Sequence, residues 1–393
     1  MLFLDVFDVV VVGAGPAGGS AALHAAKLGL KVLVLEEHAV VGEPVHCGEC
    51  LSLLAVQRMG FDLPSGVVSS EAKGIRVVFP RGKSVLVTEP GFVLEKHAFE
   101  QWIIAQTQSA GARAVLGSRV TAASRANGVW TLKAGGKEYS CRVLVDATGI
   151  QSFSSSVLKL NPRYASVVGI QYELQDIPRD GYIDFYIWPE LAPHGYLWMI
   201  PKSGGRANVG LVTNENNNAK KYLDEFVKRM GWSGKVVNKT FGGLIPASGP
   251  ASVTFSDGLL LVGDAAGFTS PLFEGGTQLG LVSGKFAAQV AKKAVELNDY
   301  SKQTLSEYER LWRAEFPDYA PLVKGKESLY ALSDDELVAM VSTFPGELGT
   351  LSVASKATVG AKLLATQPNL LFAKNLFSVF KAFKYSRAKY YGW

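Results

Sequence analysis

DVVVVGAGPAGGSAALHAAKLGLKVLVLE, residues Asp8 to Glu36, decides the fold. Asp8 to Val12 is a short, almost wholly apolar run, the pattern of a strand buried on both faces of a parallel sheet. Gly13 to Gly19 is glycine-rich, Ser20 to Leu28 reads as a helix ended by Gly29, and Lys31 to Leu35 is a second strand. Gly13-Ala14-Gly15-Pro16-Ala17-Gly18 fits G-x-G-x-x-G between strand and helix. Gly13 permits the tight turn, Gly15 lets backbone approach a pyrophosphate, and Gly18 lets helix and strand pack closely, while the helix N-terminus offers free N–H groups to phosphates. Glu36, eighteen residues past Gly18, closes the second strand where a carboxylate accepts from ribose hydroxyls. The unit reads as a dinucleotide-binding β-α-β; the plainer alternative is a tight β-α turn.

Outward from there, the 393 residues suffice for two domains sharing an interface. Apolar content of 48% against 19% charged residues predicts a globular chain. No apolar run is long enough to cross a membrane. Met1 to Phe7 carries Asp5 and no basic region, so no secretory signal is expected. Three cysteines (Cys47, Cys50, Cys141) cannot make a disulfide framework and suggest a reducing, cytoplasmic setting. The five histidines, 24, 38, 46, 97 and 194, show no metal-ligand spacing, so no metal is expected, and no Ser-His-Asp signature is recognisable. The net charge of +5 is uneven. Seven basic and no acidic residues follow Leu348, so the preceding part sums to −2, that is +5 minus +7. There Lys374, Lys381, Lys384, Arg387 and Lys389 interleave with Phe372, Phe377, Phe380, Phe383, Tyr385, Tyr390, Tyr391 and Trp393. That mixture suits an anionic lipid surface; the alternative is a helix with its apolar face on the protein's own core. No nucleic-acid motif accompanies the charge.

Residues 44–143 look mixed, with a helix around Ala98–Ala110 and strands near Ala114–Leu116 and Trp130–Lys133; Val143 to Ala147 is another buried strand. From Ala165 to Val212 β-branched and aromatic density rises between turn signals, as in an antiparallel sheet inserted into the first domain. Leu259 to Val262 returns to a buried strand, Gly276 to Glu296 is a long helix, and the chain from Tyr308 onward is mainly helical. The expected architecture is α/β: a Rossmann-like domain from 1–160 and 240–300, an antiparallel substrate domain over 161–239, and a helical C-terminal region over 301–393.

Other segments decide which dinucleotide is bound. LLLVGDAAGFTSPLFEGG, Leu259 to Gly276, resembles the second flavin motif of the para-hydroxybenzoate-hydroxylase-like flavoproteins. The resemblance implies that Asp264 binds the ribityl chain and that the downstream glycines approach the flavin ring. Gly275 and Gly276 open the next helix, whose positive end favours the charge of reduced flavin. Val145-Asp146-Ala147-Thr148-Gly149 looks like a third stretch of the same superfamily, near the pyrophosphate. The cofactor is therefore expected to be FAD. No second G-x-G-x-x-G follows, so electrons must come from a transiently bound donor or a partner: reduced nicotinamide, ferredoxin or deazaflavin.

Two further stretches resemble the geranylgeranyl reductase family. Pro44-Val45-His46-Cys47-Gly48-Glu49 is similar to its cysteine-containing flavin loop, and Pro193-His-Gly-Tyr196-Leu-Trp198-Met-Ile-Pro201 to its Pro-x-x-Tyr-x-Trp-x-Phe-Pro stretch, with Ile200 in place of Phe. Alternate strand residues share a side, so Tyr196 and Trp198 would wall one pocket, although either alone could be an ordinary core aromatic. Two departures stand out: Cys50 where the family has Gly, leaving a Cys47–Cys50 disulfide open, and Lys96 where it usually has Arg, which cannot meet a phosphate bidentately. The resemblance implies reduction of carbon–carbon double bonds in a polyprenyl chain by hydride from flavin N5, with a proton to the other alkene carbon. The substrate would be an isoprenoid lipid or prenyl diphosphate met at the cytoplasmic membrane surface. Flavin monooxygenases or halogenases are the alternative. The candidate catalytic residues are Cys47, Tyr196 and Trp198, with His46 and Glu49 as rivals for the proton relay. The candidate cofactor-binding set is Gly13, Gly15, Pro16, Ala17, Gly18, Glu36, Cys47, Gly48, Cys50, Lys96, Val120, Asp264, Gly275, Gly276 and Thr277.

Overall fold

The computed structural model describes residues 6–344, 346–347 and 376–390, without the side chains of 376–378, 380 and 381. Strand Val6–Val12, helix Pro16–Lys27 and strand Val32–Leu35 form the expected β-α-β unit, with Val10, Val11, Leu33 and Val34 fully buried. Pro16 starts the helix a turn earlier than the periodicity predicts, because proline at a first helical position forfeits no hydrogen bond. Five parallel strands follow the order Leu259–Leu261, Lys137–Asp146, Val6–Val12, Val32–Leu35, Arg113–Val115. Strand Lys137–Asp146 is longer than Val143–Ala147, because its first half also carries the antiparallel meander Val120–Ala126 and Val129–Ala134.

A seven-stranded sheet lies against this domain. Its order is Val237–Pro246, Ser166–Leu174, Ala207–Thr213, Tyr196–Pro201, Tyr182–Tyr186, Gly74–Val78, Ser84–Val87, antiparallel except where Tyr182–Tyr186 meets Gly74–Val78. It thus draws on more of the chain than 161–239, taking two strands from the stretch that looked mixed. Helix Ala219–Arg229 covers one face, where Leu197, Met199 and Val209 pack with Leu223 and Phe226. Tyr196, Trp198 and Ile200 point to the other face, into the core shared with the parallel sheet. A small sheet of Cys50–Ser52, Gly91–Leu94 and Val68–Ala72 fills the corner between the two.

Helix Thr277–Leu297 packs on Pro16–Lys27 at backbone distance: a Cβ on Gly284 would lie 2.4 Å from the Ala17 carbonyl oxygen. Beyond it come helices Lys302–Leu305, Glu307–Glu315, Tyr319–Tyr330, Asp334–Ser342 and Leu376–Tyr385. They are tied to the domain by Tyr308, which donates to the Leu261 carbonyl at 2.6 Å, and by Tyr330, which donates to that of Leu272 at 3.2 Å. No helix among the described residues is long and apolar enough to cross a membrane. Of the basic, aromatic C-terminal set, Arg387 pairs with Glu89 at 2.7 Å and the Phe383 ring lies 6.4 Å from those of Phe79 and Phe273. Lys384 and Lys389 are exposed. Phe372, Lys374, Tyr391 and Trp393, the side chains of Phe377, Phe380 and Lys381, and Met1 to Asp5 of the N-terminal reading lie outside the described residues.

Candidate active site

A cavity of about 290 Å³ opens where the two sheets and helix Thr277–Leu297 converge. One wall is Gly15, Pro16 and Ala17 with Ala147 and Gly149; the opposite wall is Phe185, Tyr196, Trp198 and Ile200; Cys47–Cys50, Lys96, Asp264 and Phe273–Thr277 close the ends. The structure thus brings together most of the candidate residues from five separated segments. Gly13, Gly18, Glu36 and Val120 do not line this cavity. The first three shape the loop behind it, and Val120 is buried at the head of the meander.

The nucleotide wall is a cradle that side chains would fill. A Cβ on Gly18 would stand 2.0 Å from the Gly13 carbonyl oxygen and one on Gly13, at φ +101°, 2.4 Å from that of Ala147. A Cβ on Gly15 would meet no atom within 4 Å, so that edge is open to a ligand. Glu36 accepts from the Ala14 amide at 2.7 Å and from the amide and Nδ1 of His38 at 2.9 and 2.7 Å, which aims its carboxylate at the loop. Asp146, fully buried, accepts from Thr148 and Ser154 and so fixes the turn through Ala147 and Gly149. Asp264 accepts from Thr269 at 3.1 Å, and burial pushes its carboxyl up. With the glycines at the start of Thr277–Leu297, these groups fit FAD: phosphates at one helix N-terminus and the ring at another.

The loop from His46 to Cys50 is anchored from below. Glu49, at φ +74°, is 2% exposed; it accepts from the Lys96 amide at 2.9 Å, Asn208 at 2.6 Å and Lys202 at 2.6 Å. Lys202 also meets Glu95 at 3.0 Å and Glu173 at 3.8 Å, and Arg206 bridges the same two carboxylates at 2.6 and 3.1 Å. Glu49 is thus held in an ion pair beneath the loop. His46 Nδ1 donates to the Gly242 carbonyl at 2.7 Å. The Cys47 carbonyl accepts from Gln171 at 2.8 Å, and Gln171 accepts from the Trp198 indole at 3.1 Å, linking loop to sheet. Cys47 and Cys50 stand as free thiols, and burial pushes that of Cys50 well up. Lys96 opens helix Lys96–Ser109, 7% exposed, with Nζ 2.5 Å from Glu100.

Tyr196 donates to the Phe273 carbonyl at 2.7 Å, its ring 5.2 Å from that of Phe185. Burial raises its hydroxyl far above the ordinary phenol range. Sequence reasoning passed over Phe185, Gln171, Lys202 and Glu274. Only Glu274 carried a local signal, a charge between Phe273 and two glycines.

A glycine-cradled dinucleotide loop facing an antiparallel sheet with an aromatic wall defines a flavin-dependent oxidoreductase. Residues 8–152 match the FAD-dependent oxidoreductases and residues 166–244 the geranylgeranyl reductase catalytic domain. The chain is 34% identical over 386 residues to the digeranylgeranylglycerophospholipid reductase of Methanocaldococcus jannaschii, covering 93% of this chain and 97% of that one. A Thermoplasma acidophilum protein of the same description is 33% identical, with 89% and 94% covered. The crystal structure of a geranylgeranyl bacteriochlorophyll reductase-like protein from T. acidophilum superposes with a TM-score of 0.85 at 31% identity, over 94% of this chain and 98% of that one. A flavin-dependent brominase superposes at 0.72 over 98% of this chain and all of that one, but at 17% identity it shares the fold alone. The chain belongs to the geranylgeranyl reductase family of FAD-dependent oxidoreductases. FAD is its cofactor and geranylgeranyl chains are what it reduces; the monooxygenase and halogenase alternative gives way.

Proposed function

We propose that the substrate is a digeranylgeranylglycerophospholipid, as for the Methanocaldococcus jannaschii and Thermoplasma acidophilum reductases, reached from a membrane surface. One observation carries the reading: the cavity wall opposite the nucleotide loop is Phe185, Tyr196, Trp198 and Ile200, which suits a chain with no polar handle along its length. Gly13, Gly15, Pro16, Ala17, Gly18, Glu36 and Val120 would hold the adenosine and pyrophosphate, and Cys47, Gly48, Cys50, Lys96, Asp264, Gly275, Gly276 and Thr277 the flavin end. Reduced FAD supplies the hydride. The protein's part is to lay an unactivated alkene beside it in a dry site, since positioning must lower much of the barrier. Cys47 borders that position, and Tyr196 and Trp198 orient the chain. The folding units follow 1–160 with 240–300, 161–239 and 301–393, except that strands Gly74–Val78 and Ser84–Val87 and the whole of Val237–Pro246 go with the second.

The test is anaerobic. The yellow protein is reduced with dithionite, digeranylgeranylglycerophospholipid is added, and flavin reoxidation and product mass are followed together. We expect reoxidation with two hydrogens gained per double bond. A flavin that stays reduced with every prenyl lipid, yet reoxidises quickly in air, would overturn the reading. Co-sedimentation with anionic vesicles checks the surface: the full chain should bind better than one ending at Thr366, and equal binding would sink the membrane role of the C-terminus.

A further inference from the structure

Glu274 stands between Phe273 and Gly275, on the wall of the cavity where the loop turns into helix Thr277–Leu297. Its side chain is 2% exposed, and its backbone sits at φ +46°, in the left-handed region that disfavours a glutamate. Oε1 accepts from Lys326 Nζ at 2.6 Å. Oε2 is buried and, among the described residues, has no hydrogen-bond partner. Buried carboxylate oxygens are ordinarily paired, so a bare one beside a cavity needs a proton or a ligand. The groups facing it are Lys326 and Tyr330 from helix Tyr319–Tyr330 and Tyr196 from the sheet, with Cys50 beyond Tyr196. The Tyr196 hydroxyl spends its proton on the Phe273 carbonyl and that of Tyr330 on Leu272. Burial raises Tyr196, Tyr330 and Cys50 far above their ordinary ranges. Burial also raises Glu274, and the Lys326 ammonium together with the neighbouring Tyr196 hydroxyl only partly offsets it, so this carboxyl keeps its proton above the usual carboxylate range.

We propose that Glu274, held by Lys326, is the acid that protonates the alkene during reduction. The proposal rests on the geranylgeranyl chain occupying this cavity. As the π bond breaks, one carbon forms a C–H bond with the hydride and its electron pair from reduced FAD. The other carbon forms its C–H bond with the Oε2 proton and the π electrons. FAD is left oxidised, the alkene is reduced, and the new carboxylate stays paired with Lys326 until water returns a proton. Lys326 is the more exposed member of the pair, at 12% against 2% for Glu274.

Glu274→Gln keeps the shape and removes the acid. In the FAD-loaded protein we expect an unchanged flavin spectrum, with lipid-driven reoxidation slowed about 100-fold or more, the range of general acid catalysis. A readout apart from turnover is the infrared carboxylic-acid stretch, followed against pH without substrate. We expect a band that persists above the usual carboxylate range, is lost in Glu274→Gln, and persists to higher pH in Lys326→Met. Glu274→Gln turning over within about threefold of the parent, or a spectrum with no band that this substitution removes, overturns the proposal. If Glu274→Gln fails to bind FAD, Lys326→Met decides. Its rate should fall at higher pH than the parent's, because the acid form lasts longer, and a limb that does not move overturns the proposal. Should the parent protein reduce no prenyl lipid, the substrate reading fails; the infrared result then still reports whether Glu274 holds a proton.

Discussion

On the nucleotide side of the cavity, Gly13 and Gly18 leave no room for a side chain, and the wall is made of backbone. On the sheet side, Lys202 lies 2% exposed among Glu49, Glu95 and Glu173, and the wall is held by charges buried beneath it. The first construction is largely local: its glycines lie within six residues, and its distant part is the Ala147 backbone that crowds Gly13. The second joins Glu49 to a lysine 153 residues away, and neither residue has a reason to be charged until the other arrives. Backbone geometry specifies a ligand that must be approached closely, whereas a buried ion cluster specifies where a loop must sit.

Four substitutions or conditions sharpen or break that contrast. Lys202→Met should destabilise the protein by about 3–5 kcal/mol, because it strands buried carboxylates. Denaturant unfolding of the FAD-bound protein checks it, and a neutral result would remove the cluster as the loop's anchor. Gly18→Ala should cost on the order of 3 kcal/mol at a 2.0 Å clash, or roughly 100-fold in FAD affinity read by flavin fluorescence. If it binds FAD normally, the nucleotide wall is less rigid than described. Trp198→Phe removes the donor to Gln171 and should cost about 1 kcal/mol, seen as a raised KM for lipid at unchanged FAD content. The smallest effect is acidic. Burial would raise Glu95, but hydrogen bonds from Arg206, Ser69 and Lys202 take it down to about 2. With the folded value below the unfolded one, its stabilisation is full above pH about 4.3 and lost as pH falls toward about 2. Glu95→Gln should flatten the dependence of the unfolding midpoint on pH in that window.

The β-α-β unit was legible because apolar runs, glycines and Glu36 are each fixed by neighbours in sequence. Tyr196 and Trp198 were legible as a shared face because strand alternation has period two, and they do share it. Strand Gly74–Val78 was not, since its partner Tyr182–Tyr186 lies a hundred residues on and the pairing is parallel, with no turn to announce it. The anchoring of Glu49 escaped for the same reason. Its sequence signal is a single charge, and its meaning lies in Lys202, Asn208 and the Lys96 amide. The charged C-terminus divided: Arg387 is committed to Glu89 within the molecule, while Lys384 and Lys389 remain outward.

The backbone contact between helices Pro16–Lys27 and Thr277–Leu297 bears on the order of synthesis. The glycine loop leaves the ribosome early, but the surface that seats its helix, Gly280 and Gly284 against Ala17, emerges more than 250 residues later. A nascent chain therefore carries an incomplete flavin site through most of translation and closes it only when that helix docks. Chains stalled before Thr277 should remain colourless with FAD supplied, and those released after Leu297 should turn yellow.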